Sequence, residues 1–232
     1  IKNNMQAEIG QNILTVKNKI YAACEAIKKD HNEITLIAVS KKKDISMIEG
    51  AIENGVYNFG ENYAQELQEK ASIIRKNNII WHFIGPIQSN KVKIIAKNAN
   101  WVHTLSREKI IRKLNSECAL IQKKINACIQ VNISSEDSKS GCNPDSLMDV
   151  AKLIESMKNI NLKGIMALPK LTDDKSEQKK EMKLVSDLSK KLQILYPNAR
   201  CISLGTTSDF ENAIISGSTM VRVGESIFGK RL

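Results

Sequence analysis

The stretch Ile34–Lys43, ITLIAVSKKK, decides the fold class of this 232-residue chain. Its first six residues form a short apolar run rich in β-branched side chains, which is typical of a buried strand. The run stops at Ser40 and enters three consecutive lysines, and Asp44 follows as the expected N-cap of a helix. A buried strand followed directly by a helix is the repeating unit of parallel α/β folds.

The same alternation of strand and helix continues along the chain. The predicted strands are Ile34–Val39, Val56–Phe59, Ile80–Ile84, Trp101–Leu105, Ala127–Ile133, Leu162–Ala167, Cys201–Leu204 and Thr219–Val223. The predicted helices are Asn4–Lys29, Ile45–Asn54, Ala64–Lys76, Asn90–Asn98, Arg107–Lys123, Pro144–Met157, Ser176–Tyr196 and Asp209–Ser216.

Strands that alternate with helices predict a parallel sheet, and eight such units can close into a (β/α)8 TIM-type barrel. The alternative is an open doubly wound sheet, but its phosphate-binding fingerprint, GxGxxG after the first strand, is absent from the sequence. No linker or repeat interrupts the pattern. We therefore expect one barrel domain over residues 1–232, with residues 1–30 forming an extra N-terminal helix packed on it.

Composition limits the compartment and the classes of partner. The sequence is 42% hydrophobic but contains neither a membrane-length apolar run nor a signal-peptide core near its start. Its five cysteines lie far apart with no CxxC pair, and no His/Asp/Glu spacing recommends a metal, so we expect a reducing cytoplasm and no metal site. The charge of +10 is spread over every helix and aromatic residues are only 4%, which favours general surface charge over nucleic-acid binding.

Polar clusters follow most of the predicted strands. They are Ser40-Lys41, Gly60–Tyr63, Gly85–Lys91, Asn132–Gly141, Ser203–Asp209, and Arg222 with Gly224–Gly229. In a barrel, the loops after the strands meet at one face, where active sites lie. This convergence predicts a binding site at that face.

Lys41 is the candidate for covalent chemistry. A lysine at the carboxyl end of a buried strand is half removed from water, and desolvation lowers the pKa of its ammonium group from about 10.4, as a Schiff-base lysine requires. Lys42 and Lys43 lie further from the strand, and we expect both to belong to a solvated loop.

The two last loops resemble a phosphate cradle, because they combine glycine amides with several hydroxyl groups after strands seven and eight. Arg222 lies on the last strand, and its alternative role is an ion pair with a carboxylate such as Glu225. A strand-end lysine, a phosphate cradle and an arginine would together suit pyridoxal 5′-phosphate. His82 and His103 are expected as hydrogen-bonded core histidines, and Glu61 is either near the site or a rim charge.

The chain resembles a known family, the pyridoxal phosphate homeostasis proteins, which are single-domain relatives of the alanine racemase N-terminal barrel. The resemblance runs from about Ile34 to the C-terminus. It is carried by AVSK (38–41), FGENYAQE (59–66), WHFIGPIQSNK (81–91), QVNISSEDSKSG (130–141), GIMALP (164–169), SLG (203–205) and GSTMVRVGESIFG (217–229).

The resemblance implies a set of cofactor-binding residues and no catalytic ones. These residues are Lys41, which would hold the cofactor as an internal aldimine, Asn62 near the cofactor, Ser203, Gly205, Thr207 and Gly224 at the phosphate, and Arg222 at the pyridine nitrogen. The chain departs from the family after Gly205, where methionine and serine are usual and Thr206-Thr207 stand instead. Thr207 keeps a hydroxyl group at that point.

The resemblance implies storage, buffering or delivery of the cofactor, with pyridoxal-phosphate-dependent apoenzymes as recipients. An arginine at the pyridine nitrogen only donates, which weakens the ring as an electron sink. The racemases also carry a second domain, and we expect none here, because the sequence ends soon after the eighth predicted strand. We expect a cytoplasmic monomer that does not bind membranes. The alternatives are a pyridoxal-phosphate-dependent amino-acid racemase, a cofactor-free Schiff-base aldolase and a nucleic-acid-binding protein.

Overall fold

The computed structural model describes residues 1–134 and 140–230. Within them, eight parallel strands close into a barrel in chain order, so the predicted (β/α)8 fold is confirmed. The strands are β1 Thr35–Val39, β2 Asn58–Glu61, β3 Ile80–Phe83, β4 Trp101–Leu105, β5 Ile125–Gln130, β6 Ile160–Met166, β7 Cys201–Ser203 and β8 Met220–Val223.

Helices separate the strands and form the outer layer. They are α1 Lys2–Ala26, α2 Ile45–Glu53, α3 Ala64–Ile73, α4 Val92–Asn98, α5 Glu108–Leu120, α6 Leu147–Glu155, α7 Lys175–Leu195, α8 Phe210–Ile215 and α9 Glu225–Phe228. No helix within residues 1–134 and 140–230 is both long enough and apolar enough to cross a membrane.

The N-terminal helix α1 lies against α2, α8 and α9. Its apolar residues recur at helical spacing, and Ile9, Ile13 and Ile20 are each at most 4% exposed. Burying a side chain of this size contributes about 1.5–3 kcal/mol. The Asn12 side chain donates a 2.9 Å hydrogen bond to the carbonyl of Ile227 in α9, which connects α1 to the segment that follows β8.

The start of α2 confirms the predicted N-cap. The Asp44 carboxylate accepts hydrogen bonds from the backbone N–H of Met47 at 3.1 Å and from the hydroxyl of Ser46 at 2.7 Å. These hydrogen bonds lower the pKa of Asp44. The cap fixes the direction in which the chain leaves β1, and therefore the course of the lysine loop between them.

The barrel interior is not uniformly apolar. Five polar side chains from five different strands hydrogen-bond to one another across it: Asn58, His82, His103, Ser203 and Arg222. A polar group removed from water needs a hydrogen-bond partner to avoid a large penalty. These side chains satisfy one another, and their arrangement leads directly to the cavity at the end of the barrel.

Candidate functional site

A cavity of about 850 Å³ lies at the carboxyl ends of the strands. Its lining comes from the ends of β1, β6 and β8 and from the loops that follow β1, β2, β3, β6, β7 and β8. The lining residues are Val39, Lys41, Lys43, Asn62, Ile84, Met166, Leu168, Thr206, Thr207, Ser208, Arg222, Gly224, Glu225, Gly229 and Lys230. Its size is that of a small-molecule site, and its place is that of barrel active sites.

Lys41 lines this cavity and is half-buried. It lies in a tight turn closed by a 3.0 Å hydrogen bond from the backbone N–H of Lys43 to the carbonyl of Ser40. Lys42 follows with a positive φ of 59°, a left-handed conformation that is uncommon for a residue with a side chain. The turn therefore separates Lys41, at the cavity, from Lys42, which is exposed to solvent.

Lys43 differs from the sequence-based expectation. It also lines the cavity, and its ammonium group lies 3.5 Å from the carbonyl oxygen of Gly229 in the loop after α9. The expectation of a solvated loop is wrong for Lys43, because the turn at Lys42 brings the chain back towards the barrel end. The cavity lining thus contains Lys43 as well as Lys41 and Lys230.

Asn62, in the loop after β2, has an unused acceptor. Its Oδ1 atom is buried and meets no hydrogen-bond donor among the described residues, although the residue lines the cavity. Leaving such an atom unsatisfied costs about 1–3 kcal/mol. An unpaired acceptor in the wall of a cavity is available to a donor that a ligand supplies.

Glu61 is not a rim charge. It is the last residue of β2, its side chain is fully buried, and it accepts hydrogen bonds from Lys70 and from the Ser40 hydroxyl, both at 2.6 Å. Burial raises the pKa of the Glu61 carboxyl, while Lys70 and Ser40 oppose that rise. Glu61 therefore lies between β2 and α3.

The loops after β7 and β8 present unused backbone donors. In the described part of the chain, the amides of Thr207, Ser208, Gly224 and Glu225 make no hydrogen bond, and all these residues line the cavity. The Thr207 hydroxyl lies 3.4 Å from the amide of Ser226, which joins the two loops. Grouped amide donors without acceptors are suited to binding an anion.

Gly205 matters for helix packing and not for an amide donor to the cavity. Its φ is +101°, and a Cβ atom there would lie 2.6 Å from the Cβ of Ala213 and 2.9 Å from the Cα of Phe210. Gly205 therefore allows α8 to pack closely on β7. At Gly224, a Cβ would lie 3.3 Å from the Cβ and the carbonyl oxygen of Val39, which leaves little room beside β1.

Arg222 extends from β8 and lines the cavity while only 3% exposed. Its guanidinium donates to the Ser203 hydroxyl through Nη1 and to the carbonyl of Ala167 at 3.2 Å through Nη2. Burial lowers the pKa of Arg222 to about 10, and Asp209 opposes the shift. No carboxylate in the described ranges forms an ion pair with Arg222, so the Glu225 pairing is not found there.

A chain of hydrogen bonds crosses the barrel behind Arg222. Ser203 Oγ lies 2.7 Å from His103 Nδ1, His103 Nε2 lies 2.9 Å from His82 Nδ1, and His82 Nε2 lies 2.8 Å from Asn58 Oδ1. The chain therefore joins β8, β7, β4, β3 and β2. Both histidines are completely buried, as expected of hydrogen-bonded core histidines.

The direction of every hydrogen bond in this chain follows from Asn58 at its far end. An amide oxygen only accepts, so His82 donates from Nε2 to Asn58 and, as a neutral ring, accepts at Nδ1 from His103 Nε2. His103 Nδ1 then accepts the hydroxyl hydrogen of Ser203, whose oxygen accepts from Arg222. Both imidazoles are neutral Nε2–H tautomers, which agrees with burial lowering the pKa of His82 to about 3 and that of His103 well below 6.5.

The comparisons with known proteins agree with this geometry. Residues 11–231 match the family model described as "Alanine racemase, N-terminal domain". The pyridoxal phosphate homeostasis protein of Pasteurella multocida is 41% identical over 227 residues, covering 96% of this chain and 97% of that protein. The chain belongs to this family of alanine racemase-like barrels, among its pyridoxal phosphate homeostasis proteins.

Solved structures of similar proteins have the same fold. A crystal structure of an unknown protein from Bifidobacterium adolescentis matches with a TM-score of 0.92 and 27% identity, covering 98% of this chain and 97% of that one. PipY of Synechococcus elongatus, in a structure with pyridoxal phosphate bound, matches with a TM-score of 0.82 and 23% identity, covering 95% of this chain and all of that one.

The structure divides the residues that the sequence singled out. Lys41, Asn62, Thr207, Arg222 and Gly224 line one cavity. By contrast, Ser203 and Gly205 lie behind its wall, fully buried.

One residue of the cavity was not predicted, and one predicted loop is only partly described. Sequence reasoning missed Lys43, whose place depends on the turn at Lys42, a signal that sequence spacing does not carry. Part of the predicted loop after the fifth strand, residues 135–139, falls outside the described residues.

Proposed function

We propose that this chain binds pyridoxal 5′-phosphate in the cavity at the carboxyl end of its barrel and stores or delivers it for other proteins. The observation that carries the proposal is the lining of that cavity, where Lys41, Arg222 and the unused amides after β7 and β8 surround one space. The name of the 41% identical relative, a pyridoxal phosphate homeostasis protein, supports it.

The polar groups of the cavity match those of the cofactor. When bound, pyridoxal 5′-phosphate supplies an aldehyde that condenses with a primary amine, and Lys41 is the amine next to the strand end. The cofactor's ring hydroxyl is a donor of the kind that the orphaned Asn62 Oδ1 needs. The residues present therefore fit the cofactor.

The phosphate would be held by the loops after β7 and β8. The amides of Thr207, Ser208, Gly224 and Glu225 offer donors, and the Thr207 hydroxyl offers another. Thr207 stands where the family usually has serine, and it keeps the hydroxyl. Gly205 supports this loop by letting α8 pack against it.

Arg222 would face the pyridine nitrogen. It remains charged at neutral pH because burial lowers the pKa of Arg222 only to about 10. A guanidinium has no lone pair to take a proton and can only donate to the nitrogen, which then stays unprotonated. An unprotonated ring withdraws electrons weakly, so these residues favour holding the cofactor over carbanion chemistry. Ser203 would act through Arg222, whose guanidinium it orients.

The finer parts of the proposal concern partners and location. We propose that the recipients are pyridoxal-phosphate-dependent apoenzymes, that the protein acts as a monomer and that it works in the cytoplasm. A cytoplasmic location suits the five cysteines, which are all free thiols. A carrier that gives up its cargo needs a bond that reverses, and condensation of a lysine with an aldehyde is reversible.

The test is a spectral titration of the purified protein with pyridoxal 5′-phosphate, together with a transfer assay. We expect saturable binding with a new visible band, and activation of an added apoenzyme by the loaded protein. Incubation with L-amino acids tests the racemase alternative and should give no D-isomers. Absence of saturable binding, or formation of D-isomers at an enzymatic rate, would contradict the proposal.

A further inference from the structure

The turn that carries Lys41 is held from outside the cavity by α3. Lys70 is only 5% exposed, and its ammonium group donates to the carbonyl of Ser40 at 2.6 Å. The carboxylate of Glu66 accepts a hydrogen bond from the backbone N–H of Lys42. Both peptide groups that flank Lys41 are therefore bonded to side chains from one helix.

The two α3 side chains also hold each other. Glu66 and Lys70 lie one helical turn apart, and their charged groups are 2.7 Å apart. Glu61 binds Lys70 from the other side at 2.6 Å and also accepts the hydroxyl hydrogen of Ser40. We call Glu61, Glu66 and Lys70 the α3 clamp.

The clamp is buried at Lys70 and exposed at Lys42. The hydrogen bonds from Lys70 to Ser40 and to Glu61 are buried, whereas the one from the Lys42 amide to Glu66 is exposed to solvent. Hydrogen bonds to charged groups are about twice as strong as neutral ones, and the buried ones lose little to water. The clamp also accounts for the backbone at Lys42, whose left-handed φ of 59° costs energy unless its surroundings fix it. The hydrogen bond from the Lys42 amide to Glu66 fixes that peptide in its orientation.

We propose that Glu66 and Lys70 are positioning residues for Lys41, acting through the two peptide groups beside it. The inference rests on the proposed function, because it assigns the clamp the task of presenting the Lys41 amine to the aldehyde. Within residues 1–134 and 140–230, no hydrogen bond or ion pair of the clamp goes to the phosphate loops or to Arg222. Its loss should weaken the covalent part of binding and leave the non-covalent part unchanged.

The experiment compares Glu66→Ala with Glu66→Gln. Glutamine keeps a carbonyl oxygen for the Lys42 amide, whereas alanine removes the acceptor. Two probes separate the contributions: pyridoxal 5′-phosphate reacts with the lysine, while pyridoxine 5′-phosphate has an alcohol in place of the aldehyde and binds without that bond. Glu66→Ala should lower affinity for the aldehyde at least about tenfold, as expected for losing a hydrogen bond to a charged group.

Glu66→Gln should recover most of that loss, and neither variant should change affinity for pyridoxine 5′-phosphate. The matched control is Glu108→Ala, which removes an exposed ion pair at the same spacing on α5 and should change neither affinity. If Glu66→Ala binds both phosphates as the wild type does, or weakens both equally, the positioning role is wrong.

Amide hydrogen exchange gives a readout that needs no cofactor. In the free protein, the Lys42 amide should exchange at least about tenfold faster in Glu66→Ala than in the wild type, and Glu66→Gln should keep it protected. Unchanged exchange would overturn the clamp. Failure of the wild type to bind the aldehyde would instead overturn the proposed function, while the exchange result would still decide whether Glu66 holds the turn.

Discussion

Acidification should destabilise the protein through the two histidines buried in the barrel. Burial lowers the pKa of His82 to about 3 and that of His103 well below 6.5, and the hydrogen-bond chain behind Arg222 has no room for an extra proton. In the unfolded chain each histidine titrates near about 6.5. The unfolded state therefore binds more protons than the native state below that pH, and stability falls as the pH falls from about 6.5 towards about 3.

The magnitude follows from the same values. Between about pH 7.5 and about pH 5, protonation of one histidine in the unfolded chain alone costs the native state about 2 kcal/mol. The pair together costs about 4 kcal/mol, a large part of the roughly 5–15 kcal/mol by which domains are stable. Glu61 works in the opposite direction, because its raised pKa makes the native state hold a proton more tightly than the unfolded chain does.

Variants isolate the histidine contribution from other groups. His82→Gln keeps an acceptor for His103 and a donor for Asn58 but cannot titrate. The free energy of unfolding lost on acidification should therefore be smaller by about 2 kcal/mol in this variant. His31→Gln is the matched control, since His31 is exposed and should leave the loss unchanged. Urea unfolding followed by the fluorescence of Trp81 and Trp101 gives the free energy of unfolding at each pH.

Two results would refute this reasoning. One is an equal pH dependence in the wild type and in His82→Gln, which would mean that His82 does not stay neutral in the native state. The other is a native-state nitrogen NMR titration in which either buried histidine gains a proton above about pH 5. The same spectra should identify both rings as Nε2–H tautomers throughout.

Three further predictions concern single side chains. Asp44→Ala should lower the free energy of unfolding by about 1 kcal/mol, because it removes the N-cap of α2. The control, Asp187→Ala at an exposed ion pair, should change that free energy by less than about 0.5 kcal/mol. Urea unfolding measures both. Thr207→Val should weaken binding of pyridoxal 5′-phosphate about tenfold and leave binding of unphosphorylated pyridoxal unchanged; equal losses in parallel titrations would contradict a phosphate role. Arg222→Glu should allow protonation of the pyridine nitrogen, read by nitrogen NMR on labelled cofactor, and should raise side transamination with added amino acids. A nitrogen already protonated in the wild type would contradict the role given to Arg222.

The barrel was predictable because buried parallel strands leave a strong sequence signal. The strand Trp101–Leu105 was predicted with both of its ends. The second strand lies two residues later than predicted, at Asn58–Glu61, because its interior residues are polar or glycine and do not continue the apolar run. The four-residue helix α9, Glu225–Phe228, is too short to give a periodic signal.

The site was predictable where function follows from a residue's place on its own strand. Lys41 and Arg222 stand at strand ends, and both line the cavity. The partners of these residues were not predictable, since Ser203 and His103 are one hundred residues apart and meet only across the closed barrel. The hydrogen bond between Lys70 and the carbonyl of Ser40 likewise depends on how α3 packs against β2 beside the turn that follows β1.

The central claim, that Lys41 holds the cofactor, has a direct test in borohydride reduction followed by peptide mapping. The protein loaded with pyridoxal 5′-phosphate should absorb in the visible violet, lose that band on reduction and carry the reduced label on Lys41. Lys41→Ala should show no such band. Lys43 and Lys230 are the competing amines, because they also line the cavity. A label on Lys42, Lys43 or Lys230, or a visible band that survives in Lys41→Ala, would contradict the account.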